Sequence, residues 1–208
     1  MESPICQPDT RLIETFGWDG ATFPRLDRHL ARLAESARVL GFSHEAEKVR
    51  AALPEQPGPD PLRLRLTLGR AGDIDLSSAP AAPNPPLWRI ALSPIRLMAT
   101  DPLLHHKTTE RALYDRTRAA LPDGVDEILF LNDRGELAEG TISNLFVDMG
   151  HGLCTPPLTA GCLPGCLRGE LIERGAARER RLHPADLRRA RLWMGNSLRG
   201  LIPAVMTG

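Results

Sequence analysis

Two hydrophobic repeats of different period define the clearest elements of this chain. Leucines alternate with polar residues over residues 62–68 (LRLRLTL), which predicts a half-buried antiparallel strand. Between residues 27 and 40 the apolar positions follow helical spacing, which predicts an amphipathic helix closed by Gly41. The face of this helix that we expect to be buried consists of Leu26, Leu30, Leu33, Ala37 and Leu40.

Shorter patterns predict the remaining elements. Helical signals mark residues 108–121, residues 164–174 and a short segment from Pro184, and proline suits a first helical turn because its missing N–H has no partner there. Apolar runs between turn residues predict strands at residues 11–18, 88–92, 127–131, 144–148, 180–182 and 191–194.

The order of these elements predicts an α+β fold in two lobes. We expect a small N-terminal lobe at residues 1–95 and a larger C-terminal lobe at residues 96–208. Residues 93–106 carry few regular signals and are expected to link the lobes, while residues 54–61 are expected to form a turn-rich loop.

Composition and charge exclude several classes of protein. The apolar share of 42% and the charged share of 25% are those of a globular protein. The formal net charge of zero gives no attraction to nucleic acid or to a membrane surface, and no apolar run approaches the roughly 20 residues of a membrane span. The first ten residues lack the layout of a signal peptide, and four cysteines are too few for a disulfide scaffold. We therefore expect a cytoplasmic protein.

The cysteines do not form a convincing metal site either. Cys154, Cys162 and Cys166 are spaced C-x(7)-C-x(3)-C, and His151 is the one histidine near them in sequence. Zinc sites usually place their cysteines and histidines in tighter pairs. No metal is therefore predicted.

Lysine is rare in this chain. Of the 26 basic residues only Lys48 and Lys107 are lysines. Arginine keeps its charge under almost all conditions, whereas lysine can lose its proton and act as an amine nucleophile. Lys107 lies where the predicted link meets a predicted helix. A lysine in such a place is most often a solvated charge, and only the surrounding sequence changes that interpretation.

The segment HKTTERALYD around Lys107 resembles the lysine motif of the class IV aminotransferase family, and most closely that of its aminodeoxychorismate lyase members. Four further segments resemble family motifs in the family's order: LIETFGW with FPRLDRHLARL, ELAEGTISNLFV, LTAGCLPGCLRGELIE and MGNSLRGLIPA. The resemblance therefore extends over nearly the whole chain. It implies the fold type IV architecture of D-amino acid aminotransferases, with a trimmed N-terminal lobe.

The resemblance also implies a cofactor, pyridoxal 5'-phosphate, and roles for individual residues. Lys107 would carry the cofactor as a Schiff base and serve as general base and acid. Arg32, in the element His29-x-x-Arg32, would bind the phosphate, and Glu139, in an element shared with Asn144, would contact the pyridine nitrogen. The remaining expected cofactor contacts are Gly165, Cys166 and Leu167 at a helix start, and Asn196 and Ser197 in the last motif. Arg111 and Tyr114 are candidates for contact with the cofactor or with a substrate carboxylate.

These residue types suit the chemistry of this cofactor. A helix N-terminus and an arginine offer oriented N–H groups and positive charge to a phosphate that is nearly dianionic. A carboxylate beside the pyridine nitrogen keeps it protonated, so that the ring can accept electrons. Gly165 would let the backbone approach closely. Without the family motifs, Glu139 would be taken as a loop carboxylate that caps a turn, and Arg32 as a surface residue.

The implied activity is that of a 4-amino-4-deoxychorismate lyase, which forms 4-aminobenzoate and pyruvate for folate synthesis. An aminotransferase acting on branched-chain or D-amino acids is the alternative, and a non-catalytic relative that only binds is another. The family further implies a homodimer acting on a small amino-acid-like substrate. Leu167 departs from the family pattern, because aminotransferases often place a threonine hydroxyl on the phosphate at that position.

Overall fold

The computed structural model describes residues 6–55 and 57–207. The first five residues of the opening segment, Gln56 within the loop expected at residues 54–61, and the last residue lie outside the described part. The chain forms two compact units. The first contains the residues up to Pro83 together with His106–Glu110, and the second contains Asn84–His105 and Arg111–Gly208.

The first unit is a three-stranded antiparallel sheet with two helices. Its strands have the order β1, β2, β3, and β1 pairs with β2 so that Glu14 lies opposite Leu66. Leu64, Leu66 and Leu68 are buried while the residues between them are not, which confirms the predicted half-buried antiparallel strand. The elements are β1 (Leu12–Trp18), α1 (Leu26–Leu40), α2 (Ala46–Ala51), β2 (Leu62–Leu68) and β3 (Ile74–Pro80).

Helix α1 begins and ends near its predicted bounds, but its buried face is rotated. Gly41 closes the helix in the left-handed region at φ 73°, and its N–H donates to the carbonyl of Ala37, as expected of a C-terminal glycine. The predicted face was wrong at its N-terminal end, because Leu26 and Leu30 are only partly buried. The buried residues of α1 are His29, Leu33, Ser36, Ala37 and Leu40. Two polar side chains thus replace two predicted leucines on the inner face.

The second unit is built on a closed ring of six strands. The ring has the order β4, β5, β6, β7, β10, β11, and the parallel pairing of β11 with β4 completes it. The short strands β8 and β9 extend the sheet from β7. Its strands are β4 (Trp88–Leu97), β5 (Glu127–Asn132), β6 (Leu137–Gly140), β7 (Asn144–Asp148), β8 (Leu153–Thr155), β9 (Ala177–Glu179), β10 (Arg191–Asn196) and β11 (Gly200–Met206).

Helices and 3-10 turns complete the second unit. They are α3 (Ala112–Ala119), α4 (Cys166–Glu173) and 3-10 segments at Pro102–His105, Leu158–Ala160 and Pro184–Arg189. Strands β5, β6 and β7 are buried along their whole length, and Phe130 and Phe146 are fully buried within them. Among the described residues, no helix is long and apolar enough to cross a bilayer.

Several predicted bounds differ from the structure for local reasons. The helix predicted from residue 108 begins at Ala112, because residues 108 and 109 are held in extended form by main-chain contacts with residues 11 and 12. The helix predicted from Pro164 begins two residues later, since Gly165 is still extended at ψ 139°. The strand predicted at residues 180–182 lies at Ala177–Glu179. The predicted link at residues 93–106 instead continues β4 to Leu97 and then forms a 3-10 turn.

Among the described residues, one α-helix and four strands were missed by the sequence patterns. Strand β3 is largely exposed and shows no alternation, while α2, β6 and β8 are short. Strand β11 contains Pro203, which is uncommon within a sheet. The predicted boundary after residue 95 falls within β4.

We expect Leu66→Ala to lower the free energy of unfolding by about 2–5 kcal/mol, because Leu66 is fully buried and its loss leaves a cavity. Its register partner Leu76 on β3 is 37% exposed and provides a matched control. Leu76→Ala should change stability by less than about 1 kcal/mol. Denaturant unfolding monitored by circular dichroism measures both variants. Equal losses of unfolding free energy in the two variants would show that Leu66 is not more buried than Leu76.

Candidate functional site

The segment that carries Lys107 is fixed to β1 by main-chain contacts. The N–H of Ile13 donates to the carbonyl of Lys107 over 2.7 Å, and Leu12 forms a bridge with Thr108. The N–H of Thr109 donates to the carbonyl of Arg11 over 2.9 Å. Lys107 itself is half-buried. Its position therefore depends on backbone pairing with a buried strand rather than on a mobile surface loop.

A buried carboxylate stands next to this pairing in β1. Glu14 is 1% exposed, and both oxygens of its carboxylate accept hydrogen bonds. Arg32 donates from Nε to Oε1 over 2.8 Å and from Nη2 to Oε2 over 2.6 Å, and Nδ1 of His29 lies 2.6 Å from Oε2. The family-like element His29-x-x-Arg32 thus converges on one acid. The interpretation of Arg32 as a surface residue is wrong, because its side chain is only 11% exposed.

The electrostatics of this triad keep Glu14 ionised. Burial alone would raise the pKa of the Glu14 carboxyl, but the charge of Arg32 and the hydrogen bonds from His29 and Arg32 outweigh it and lower the pKa to about 2. An ionised carboxylate only accepts hydrogen bonds, so Nδ1 of His29 carries the shared proton. The result is a buried, hydrogen-bonded pair between Glu14 and Arg32 at neutral pH.

A second contact joins α1 to the lysine segment. The hydroxyl of Ser36, one turn beyond Arg32, lies 2.9 Å from Nδ1 of His106, the residue before Lys107. Ser36 is buried despite its polarity. In the first unit the structure therefore brings Arg32 and the Lys107 segment onto one scaffold of β1 and α1.

In the second unit, Glu139 and Asn144 are register partners across the hairpin of β6 and β7. Their side chains bind both main-chain polar groups of one residue, Leu163. The N–H of Leu163 donates to Oε2 of Glu139 over 2.9 Å, and Nδ2 of Asn144 donates to the Leu163 carbonyl over 3.0 Å. Both side chains are buried. The hairpin thereby fixes the segment that leads into α4.

Tyr114 provides a further hydrogen bond to Glu139. Its hydroxyl donates to Oε1 of Glu139 over 2.8 Å. Burial raises the pKa of Tyr114 far above its usual range, and the charge of Glu139 raises it further, so the hydroxyl remains a donor. The same two causes raise the pKa of the Cys162 thiol to about 12. Cys162 is therefore a neutral, buried thiol at physiological pH.

A second buried acid binds the turn of the β6–β7 hairpin. Glu127, the first residue of β5, is fully buried and accepts hydrogen bonds from the turn at residues 141–143. The donors are the N–H and hydroxyl of Thr141 at 2.9 and 2.5 Å, the N–H of Ile142 at 3.2 Å and the hydroxyl of Ser143 at 2.8 Å. This single side chain thus fixes the turn between Glu139 and Asn144.

The start of α4 lies directly behind Leu163. Gly165 occupies the position before the first helical residue, and among the described residues no side chain caps the helix there. Cys166 and Leu167 are buried in its first turn. A side chain at Gly165 would overlap Oδ1 of Asn144, so the glycine is needed for close approach rather than for an unusual backbone angle.

The other predicted site residues of the second unit have internal partners. Nδ2 of Asn196 donates to the Ile142 carbonyl over 3.1 Å, and its Oδ1 accepts the N–H groups of Leu198 and Arg199. Ser197 follows in the same half-buried turn. Arg111 donates to Asp115 over 2.7 Å and to the Thr141 carbonyl over 3.1 Å. The contacts predicted for these residues with a phosphate or a carboxylate stay predictions.

Sequence reasoning missed the two acids that hold the predicted site residues. Glu14 could have been found from the sequence. It alternates with Leu12, Phe16 and Trp18 on the buried face of β1, where a charged residue is unexpected. Glu127 gives a weaker signal, since it directly precedes an apolar run, and a charged residue is common at such a boundary. Both act through residues that are distant in sequence.

We expect Gly165→Ala to destabilise the protein by about 1–3 kcal/mol, because the added methyl must displace Asn144 and break its hydrogen bond to Leu163. The double variant Asn144→Ala with Gly165→Ala removes the obstructing side chain. Its unfolding free energy should therefore exceed the value expected from adding the two single losses. Simple additivity in denaturant unfolding would show that the methyl is accommodated elsewhere.

Comparison with known proteins agrees with this architecture. The family model for class IV amino-transferases matches residues 11–206. A candidate aminodeoxychorismate lyase from Schizosaccharomyces pombe is 30% identical over 182 residues, which cover 82% of this chain and 77% of that protein.

Solved structures give the same result. The crystal structure of a candidate amino-acid aminotransferase from Mesorhizobium loti has a TM-score of 0.88 and 44% identity, and the match covers 96% of this chain and 100% of that one. The 4-amino-4-deoxychorismate lyase from Pseudomonas aeruginosa has a TM-score of 0.78 and 27% identity, with 94% and 82% covered. The predicted α+β, fold type IV architecture is confirmed. The chain belongs to the class IV aminotransferase family of pyridoxal-phosphate-dependent enzymes.

Proposed function

We propose that this enzyme is a 4-amino-4-deoxychorismate lyase that releases pyruvate and forms 4-aminobenzoate, with Lys107 as its catalytic residue. The observation that carries the proposal is the placement of Lys107. This lysine is one of two in the chain, and its carbonyl accepts a hydrogen bond from the N–H of Ile13 in β1. The next residue of that strand, Glu14, holds the side chain of Arg32, the candidate for phosphate binding. An amine and a guanidinium are thus held by one strand.

The residues present fit pyridoxal phosphate by their chemistry. The first unit offers an amine at Lys107 and a fixed guanidinium at Arg32. The second unit offers a carboxylate at Glu139 and a helix start without a side-chain cap among its described residues. An oxygen of a carboxylate can accept more than one hydrogen bond, so the contacts of Glu139 with Tyr114 and Leu163 are compatible with a protonated ring nitrogen.

When bound, the cofactor would supply an electron sink for a carbon that has lost its proton. Nζ of Lys107 would hold the cofactor covalently in the resting enzyme. As a free amine, the same group would remove a proton from the amine-bearing carbon of the substrate and return a proton to the departing group. Glu139 would hold a proton on the ring nitrogen, and the Tyr114 hydroxyl would orient that carboxylate.

Each unit offers one source of positive potential for a phosphate. Arg32 would contribute a charged fork, and the N–H groups of Cys166 and Leu167 would contribute the positive end of α4. Gly165 would allow the close approach that a side chain there would block. Asn196 and Ser197, in the turn that joins β10 and β11, would add polar contacts.

An amino-acid aminotransferase is the second candidate function. It is supported by the 44% identity to the structure from Mesorhizobium loti, whose description is that of an amino-acid aminotransferase. Branched-chain or D-amino acids would then be its substrates. The likeness to lyases from Schizosaccharomyces pombe and Pseudomonas aeruginosa favours the first candidate. A non-catalytic relative is the third candidate, and it would bind the cofactor at Lys107 without releasing pyruvate.

The cellular setting follows from the same proposal. A lyase of this kind would serve folate synthesis in the cytoplasm, acting on a small amino-acid-like substrate. We infer a homodimer from the family likeness, and Arg111 remains our candidate for contact with a substrate carboxylate.

We expect Lys107→Ala to abolish the yellow absorbance of the protein purified with pyridoxal phosphate, because the covalent link to Nζ is lost. Lys48→Ala is the matched control, since Lys48 is the other lysine and is exposed on α2. Borohydride reduction followed by peptide mass spectrometry should find the cofactor on Lys107. Labelling of Lys48, or of neither lysine, would contradict the proposed site.

We expect 4-amino-4-deoxychorismate to yield pyruvate continuously without any added keto acid, because a lyase regenerates its cofactor form in each turnover. A lactate dehydrogenase coupled assay measures the pyruvate. Lys107→Ala should lower the rate by at least about 10²-fold through loss of the general base. A reaction that stops after one turnover until a keto acid is added would identify an aminotransferase instead.

A further inference from the structure

The buried pair of Glu14 and Arg32 poses an electrostatic problem for the proposed phosphate site. A carboxylate beside Arg32 cancels part of the attraction that its charge exerts on a dianion. Glu14 is ionised and 1% exposed, so solvent does not weaken this effect. If Arg32 acted only through its charge, the chain would bind a phosphate more tightly without Glu14. The acid must therefore contribute something other than charge.

The geometry of the pair indicates what that contribution is. Glu14 engages the Nε and Nη2 edge of the guanidinium in a two-point contact, which fixes the orientation of the planar group. The other N–H directions of a guanidinium held in this way point away from the carboxylate. A free arginine side chain has several rotatable bonds, and a ligand that binds it must order them. Glu14 orders Arg32 before a ligand arrives.

The carboxylate is itself held from two sides. His29 contacts Oε2 from one turn before Arg32 in α1, and the ring of Phe16 packs edge-on against the His29 ring with centroids 5.1 Å apart. Glu14 also follows Ile13, whose N–H binds the Lys107 carbonyl over 2.7 Å. The carboxylate that orients Arg32 is thus one residue from the anchor of Lys107.

We propose that Glu14 is a positioning residue that orients the Arg32 guanidinium to receive the phosphate of the cofactor. The inference rests on the proposed function and adds to it a residue that acts through Arg32. Glu14 is expected to matter for a ligand with a phosphate and not for the same ligand without one. Pyridoxal, which lacks the phosphate, is therefore the natural comparison.

The test measures equilibrium dissociation constants of pyridoxal phosphate and of pyridoxal for the apo form of the full chain, from the change in tryptophan fluorescence. Glu14→Gln keeps the shape of the side chain but loses one acceptor and the charge. We expect it to weaken pyridoxal phosphate binding at least about 10-fold and to leave pyridoxal binding unchanged. A purely electrostatic role predicts tighter binding of the phosphate, and a merely structural role predicts equal weakening of both ligands. Either result would overturn the proposal.

Glu35→Gln is the matched control, because Glu35 lies on the same helix as Arg32 and pairs with Arg38 in an exposed contact. It should leave both dissociation constants unchanged. Glu14→Asp is the second variant, for the case in which Glu14→Gln does not fold. It keeps the charge but withdraws the oxygens, so a positioning role again predicts weaker binding of pyridoxal phosphate alone.

A double-variant cycle tests whether Glu14 acts through Arg32. Once Arg32→Ala has removed the guanidinium, adding Glu14→Gln should not weaken pyridoxal phosphate binding further. Additive losses would mean that Glu14 acts independently of Arg32, and the inference would fail. If the unmodified protein binds neither ligand, the proposed function fails as well. If it binds both and Glu14→Gln changes neither, only the inference fails.

Discussion

The hydrogen bond from the N–H of Ile13 to the carbonyl of Lys107 joins two segments that are far apart in sequence, and the arrangement of the first unit depends on it. Because β1 is a buried strand, it fixes the lysine backbone and at the same time directs Glu14 inward to Arg32. Alternation along a strand places these two functions on adjacent residues. One strand thus fixes both the backbone of the lysine and the orientation of a guanidinium.

The second unit solves a similar problem with side chains. Glu139 and Asn144 hold the N–H and the carbonyl of Leu163, so that a two-stranded hairpin positions the start of a helix. Glu127 fixes the turn of that hairpin by accepting hydrogen bonds from its N–H and hydroxyl groups. In both units a buried acid organises residues that the family resemblance alone would have taken as independent. Glu14 and Glu127 thus position other residues, and neither acid has a direct role in the proposed chemistry.

Local patterns predicted those parts of the fold that depend on local spacing. The alternation of β2 and the helical period of α1 were found with accurate bounds, and the rarity of lysine together with its motif singled out Lys107. The predicted inner face of α1 was wrong at its N-terminal end, where the helix faces the buried carboxylate of Glu14. A polar residue, His29, therefore takes the inner position there. The roles of Glu14 and Glu127 depend on partners across the sheet or the hairpin. A pattern within one segment does not contain that information.

The closure of the six-stranded ring by β10 and β11 has a consequence for synthesis of the chain. These strands leave the ribosome after β4 to β9, and one edge of β4 has no partner in the ring until β11 has been synthesised. The last residue of the first unit is Glu110. The first unit can therefore begin to fold while β5 to β11 are still being synthesised, whereas the ring can close only after β11 has been made. A truncated or stalled polypeptide would carry the lysine anchor on a folded sheet but leave strand edges exposed to aggregation.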